Sequence, residues 1–161
     1  MRFDIITMTC AAITIIFKLS DVLVSISGNE CSGTTSKDER TIFTKGYRTN
    51  KYPHNANCSW TIQALPDRKI RLNPFGYKLY TSNNTTTKVD TSTLETCSDY
   101  LDIYDGSNRQ SSKIEKLCGR GTSNEIVSSS NTMFLNFVSD AFDNEEGFEI
   151  EYRVNYSKLS I

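Results

Sequence analysis

The sequence is short of the parts that several functions require. Its 161 residues hold one histidine, one tryptophan and three prolines, and no two of its five cysteines stand as C-x-x-C. A zinc site needs several nitrogen or sulfur ligands, and a thioredoxin-type redox site needs that cysteine pair, so neither has its motif. Lysine and arginine together number 18 against 19 acids, a formal net charge of −1. With no basic stripe to neutralise phosphates, neither nucleic acid nor an anionic membrane is favoured as a partner. There is no G-x-S-x-G elbow, and the single histidine, His54, follows Tyr52-Pro53 in a stretch that reads as a turn. A Ser-His-Asp triad therefore lacks its base in a useful place. Carboxylates are plentiful but gather in a turn, and a domain this small rarely encloses a substrate cleft, so a glycan hydrolase is the weaker reading. The chain is expected not to be an enzyme.

Long apolar runs are missing as well. Residues 5–17 (IITMTCAAITIIF) fall short of the ~20 apolar residues that a membrane-spanning helix needs, and Lys18 and Asp21 interrupt them. The run follows Arg2 and is succeeded by small residues at Ser25 and Ser27. That order reads as a secretory signal peptide over residues 1–27, cut after Ser27, and it implies an extracellular protein with no membrane span. Removing it takes Cys10 away and leaves Cys31, Cys58, Cys97 and Cys118. Four cysteines in a small exported domain imply two disulfides, with three possible connectivities. Asn83, Asn84 and Asn155 each head an N-x-[ST] acceptor pattern and are the expected glycosylation sites. Asn57 heads another, beside a cysteine.

From Cys31 onward the pattern that is present has period two. Phe148, Ile150, Tyr152 and Val154 alternate with Glu149, Glu151 and Arg153, the signature of a half-buried strand. Residues 58–64 (CSWTIQA), 100–104 (YLDIY) and 132–138 (TMFLNFV) are similar, rich in aromatic and branched side chains. Turn signals separate them at Asp105-Gly106, at residues 119–123 and at residues 144–147. Short strands with regular turns and no long amphipathic helix predict one all-β domain, a sandwich or barrel. Trp60 alternates with Cys58 and Ile62 and is read as core. Residues 81–96 (TSNNTTTKVDTSTLET) are polar and Thr-rich, and are expected to form a long exposed loop. Residues 155–161 form a short C-terminal tail.

Several of these segments carry a family pattern. The first cysteine leads into Tyr47 and Tyr52-Pro53, and Asn57-Cys58-Ser59-Trp60-Thr61-Ile62 follows. Then come residues 97–106 (CSDYLDIYDG), Leu117-Cys118-Gly119, Phe137-Val138-Ser139-Asp140, and the strand that begins at Gly147-Phe148. In that order they resemble a CUB domain, the extracellular antiparallel β-sandwich of complement proteases, tolloid-type proteinases and spermadhesins. The likeness runs over residues 31–154. It implies two sheets and the pairings Cys31 with Cys58 and Cys97 with Cys118, each contributing ~3 kcal/mol in the chain-entropy account. Two departures stand out: Thr44-Lys45-Gly46 replaces a common Ser-Pro-Asn, and residues 81–96 look inserted.

Many CUB domains hold Ca²⁺ with a glutamate and two aspartates, and a tyrosine orients one acid. The resemblance places Asp99 and Asp140 as the aspartates, Tyr52 as the tyrosine and Asp143 as a further contact. Calcium takes several hard oxygen ligands, which suits convergent carboxylates. The glutamate is missing, because its place reads Tyr77-Lys78-Leu79-Tyr80. The same residues, Asp99, Asp140, Asp143 and Tyr52, are the expected partner-binding set. There the acidic stretch at residues 140–146 (DAFDNEE) would receive a lysine or arginine. The function expected is secreted, non-catalytic recognition or adhesion, possible with calcium, toward an extracellular protein or glycan. An accessory subunit of an extracellular protease and a structural matrix component are the alternatives.

Overall fold

A computed structural model describes residues 5–9, 12–18, 22–29, 31, 40–81 and 97–156. Every regular element among them is a strand. In chain order these are β1 (Ile5–Thr9), β2 (Ala12–Lys18), β3 (Val22–Asn29), β4 (Thr41–Phe43), β5 (Asn57–Ala64), β6 (Arg68–Lys78), β7 (Tyr100–Asp105), β8 (Ser112–Leu117), β9 (Arg120–Gly121), β10 (Ile126–Val127), β11 (Thr132–Val138) and β12 (Gly147–Tyr156). One sheet has seven strands in the order β1-β2-β3-β5-β11-β7-β8, and the other runs β10-β6-β12-β4 with β9 added on β6. All pairings are antiparallel. In β3, β5 and β12 alternate side chains turn to the inside, and the inner faces of the two sheets meet as a sandwich.

The aromatic and branched residues singled out by their alternation form the core. Trp60 on β5 meets Phe148 on β12 edge to face at 5.9 Å, and Phe148 meets Phe137 on β11 at 5.6 Å. Tyr52, from the β4–β5 connection, closes this chain of rings against Phe137 at 5.2 Å. Edge-to-face pairs of this kind add to the gain from burial itself. Both disulfides form with the expected partners, Cys31 with Cys58 and Cys97 with Cys118.

Strand β6 has no counterpart in the sequence reading, and its composition shows why. Ile70, Leu72 and Tyr77 are buried, but the register with β12 slips between Glu149 and Ile150, where Phe75 has no partner residue. Phe75 is the extra residue of a bulge and points outward, with Pro74 beside it. Proline is confined in sheets to edges and bulges, so the residues that spoil the alternation are the ones the bulge requires.

Strand β3 falls within the segment expected to be removed on export. It pairs with the whole length of β5, from Val22 opposite Ala64 to Asn29 opposite Asn57, and buries Val22, Val24 and Ile26. The bond expected to be cut, after Ser27, lies inside this strand. The expected loop at residues 81–96 lies outside the described residues apart from Thr81, and so do Asn83, Asn84 and residues 157–161. Asn155 is exposed on β12.

Candidate functional site

The registers bring several chain segments to one end of the sandwich. Asn57, which opens β5, lies opposite Val138, which closes β11, and Val138 lies opposite Tyr100, which opens β7. The β4–β5 connection, the residues preceding β7 and the β11–β12 connection therefore converge. Backbone and side-chain bonds stitch them together. Asn55 N–H donates to the Asp140 carbonyl at 2.7 Å, Tyr52 N–H to Glu145 at 3.1 Å and Ser139 N–H to Ala56 at 3.0 Å. Ser139 Oγ accepts from Ala56 N–H at 2.9 Å and donates to the Pro53 carbonyl at 2.8 Å. Asn144 Nδ2 donates to the Tyr52 carbonyl at 2.6 Å and lies 3.3 Å from His54 Nε2.

Tyr52 and Asp99 form the buried centre of this end, each with no exposed surface. The Tyr52 hydroxyl donates to Asp99 Oδ2 at 2.6 Å and accepts from Tyr80 N–H at 2.8 Å. Asp99 Oδ1 accepts from Asp140 N–H at 2.8 Å. Burial pushes the Asp99 carboxyl above its usual range, against the pull of those two donors. Burial also raises the Tyr52 phenol, as does its bond to Asp99, so this hydroxyl keeps its proton and stays a donor.

Closer to solvent, Asp140 Oδ1 accepts from Phe142 N–H at 2.8 Å, an Asx-type turn that projects the Phe142 ring outward. Phe142 is 74% exposed, the most exposed of the large hydrophobic side chains described. Interaction with the neighbouring Asp143 carboxylate pushes the Tyr80 phenol up. Glu145 and Glu146 both bind Lys78 Nζ, at 3.0 and 2.8 Å.

Tyr52, Asp99 and Asp140 are thus brought into one hydrogen-bonded chain, and Asp143 lies beside Tyr80. Sequence reasoning missed Phe142, Ser139 and Asn144. Only Phe142 carried a signal there, as a large apolar residue inside an acidic turn. Among the described residues no group of three or more acidic, histidine or cysteine side chains stands close enough to hold a metal ion. Of the residues expected to hold calcium, Asp99 and Asp140 stand together, and Tyr80 stands where the family pattern has the glutamate. The described residues supply only part of the calcium site of the resemblance.

Comparison with known proteins agrees with the fold. The family model described as CUB domain matches residues 31–152. Pig cubilin is 33% identical over 124 residues, which cover 76% of this chain and 3% of that protein. Human tolloid-like protein 1 is 30% identical over 100 residues, 62% of this chain and 9% of that protein. The chain therefore spans a small part of the relatives it matches. Among solved structures, the Ca²⁺-bound CUB2 domain of MASP-1 superposes with a TM-score of 0.56 at 23% identity, covering 76% of this chain and 99% of that one. The sandwich, its two bridges and the matched span together make this chain a member of the CUB domain family.

Proposed function

We propose that the chain is exported, with cleavage after Ser27 and glycans on Asn83, Asn84 and Asn155, and acts as a non-catalytic recognition module for an extracellular protein or glycan. The observation that carries this reading is Phe142. An aromatic ring left almost fully in water costs solubility unless something covers it, and this one stands on a turn pinned from beneath by Asp140, Ser139 and Asn144. Asp140, Asp143, Glu145 and Glu146 surround it in sequence. An exposed aromatic anchor flanked in sequence by acids suits a partner surface that offers an apolar pocket flanked by lysine or arginine. Rigidity of the turn matters because loop ordering then costs little on binding.

The test is capture from extracellular fluid with the immobilised protein, beside a Phe142→Ser variant that leaves the core untouched. A partner retained by the native chain and lost at least tenfold with the variant supports the reading. Equal capture by both would move the binding surface elsewhere. Recovery of a protease or its substrate would identify an accessory subunit, and self-assembly at micromolar concentration without any partner would identify a matrix component. Turnover of a glycan or peptide library that vanishes with Asp99→Ala, in a folded protein, would overturn the non-catalytic assignment.

A further inference from the structure

We infer that Asn57 is a further glycan acceptor, placed at the same end of the sandwich as the Phe142 turn; this rests on the export proposed above, since only an exported chain meets an oligosaccharide donor. Asn57-Cys58-Ser59 has the acceptor pattern, with a hydroxyl residue two positions after the asparagine. A pattern makes a site eligible and no more. The folded domain must also leave the amide nitrogen free for a bulky substituent that stays in water.

Asn57 opens β5 and is exposed there. Its side-chain oxygen accepts from Arg109 Nη2 at 2.9 Å, and because a guanidinium only donates, this contact identifies the oxygen of the amide. Nδ2 then lies on the other side of the amide carbon, with no hydrogen bond among the described residues. Other asparagines spend this nitrogen on the fold. Asn29 Nδ2 donates to the Asn55 carbonyl at 2.9 Å, Asn131 Nδ2 to the Ala64 carbonyl at 2.8 Å and Asn144 Nδ2 to the Tyr52 carbonyl at 2.6 Å. Attachment at Asn57 Nδ2 keeps the amide oxygen, so the Arg109 bond survives it. Arg109 Nη2 also donates to Asn136 Oδ1 at 2.6 Å, and Asn136 is buried on β11, which ties the Asn57 amide to the sheet.

In the transfer, Nδ2 forms a bond to the anomeric carbon of a lipid diphosphate-linked oligosaccharide. The bond from that carbon to the diphosphate oxygen breaks, the lipid diphosphate leaves with the electron pair, and Nδ2 gives up one proton. Cys58 takes no part in this chemistry, but the fold around it sets the timing. Asn57 is paired with Asn29 on one side and Val138 on the other, and Cys58 is bridged to Cys31, so transfer belongs before β5 is sealed into the sheet. In the finished domain Val138 leads through Ser139 to Asp140, whose carbonyl accepts Asn55 N–H at 2.7 Å. The glycan is thereby rooted beside the segment that carries Phe142.

The experiment is expression of the full chain in a secreting eukaryotic cell, followed by release of glycans from the denatured protein with peptide N-glycosidase in heavy-oxygen water. Release turns an occupied asparagine into a labelled aspartate, and mass mapping is expected to find that label at position 57. Ser59→Ala breaks the pattern while keeping Asn57 and its bond to Arg109, and is expected to lower the intact mass by one oligosaccharide. Ser59→Thr preserves the pattern and is expected to keep that mass. Secreted native protein with position 57 unlabelled would overturn the inference whatever the variants do. So would a Ser59→Ala chain whose intact mass falls only by the lost hydroxyl oxygen. A chain retained inside the cell overturns the export reading and this inference with it, whereas a secreted chain with bare Asn57 overturns this inference alone.

Discussion

Two buried aspartates in this domain are kept in different ways, and the difference says which one is positioned to act. Asp102 on β7 has a cation, Lys113 Nζ at 2.7 Å, and also accepts from the Tyr104 hydroxyl at 3.1 Å. Asp99 has only neutral donors around it at hydrogen-bond distance. A buried carboxylate held by neutral dipoles depends on each of them, because losing one leaves an oxygen unpaired away from water. Tyr52→Phe is therefore expected to destabilise the domain by roughly 2 to 3 kcal/mol, at the upper end for a single hydroxyl, since it strands both Asp99 Oδ2 and Tyr80 N–H. Urea unfolding of the variant beside the native protein measures this. A loss under about half a kcal/mol would mean that water replaces the hydroxyl and that the Tyr52–Asp99 bond is not structural.

Among the elements, β3 makes the sharpest demand. Its alternation V-L-V-S-I-S places Val22, Val24 and Ile26 inward and Leu23, Ser25 and Ser27 outward, the pattern of a half-buried strand. Opposite them on β5 stand Ala64, Ile62 and Trp60. A protein beginning at Gly28 is therefore expected to melt lower than one beginning at Asp21, because three side chains that each contribute up to about 1.5 to 3 kcal/mol are missing and β5 becomes an edge. N-terminal sequencing of the secreted protein tells which form exists, and melting of the two forms made separately measures the difference. Equal midpoints would show that β3 adds nothing to the core. The same segment illustrates how far sequence reasoning carries. The apolar run after Arg2 has the composition of a signal peptide, and the residues from Val22 onward have the periodicity of a strand. Strands β5 and β12 were legible because each alternates without interruption, and β7 and β11 because they are rich in aromatic and branched residues, whereas Pro74 and Phe75 hid β6. Tyr52, Asp99 and Asp140 were legible as a set through the family pattern. The bond from Tyr80 N–H to the Tyr52 hydroxyl was not, because it joins residues 28 positions apart through a side-chain direction that no spacing specifies.

At the scale of the molecule, both disulfides lie at the same end as the acidic loops. Cys58 pairs in register with Phe137, three residues before Asp140, and Cys97 precedes Asp99 by two. Cys118 is followed by Gly119, whose carbonyl accepts Leu79 N–H at 2.7 Å, next to Tyr80. The Cys97–Cys118 bridge thus joins the segment that presents Asp99 to the one hydrogen-bonded beside Tyr80. The bridges span 27 and 21 residues, so the chain-entropy account assigns them similar contributions of about 3 to 4 kcal/mol. Their structural consequences are not similar. Replacing Cys97 and Cys118 by alanine is expected to lower stability by about that amount and also to speed amide exchange at Tyr80, Asp99 and Asp140 well beyond the domain average, because local opening there no longer strains a covalent link. Replacing Cys31 and Cys58 is expected to cost a similar amount of stability and to leave exchange at Tyr80 near that of the native protein. Hydrogen exchange of the two double variants, compared at equal distance from their own unfolding midpoints, separates the effects. Identical exchange at Tyr80 in both would mean that the hydrogen bonds of Tyr52 and Asp99 hold this end without help from the bridge beside it.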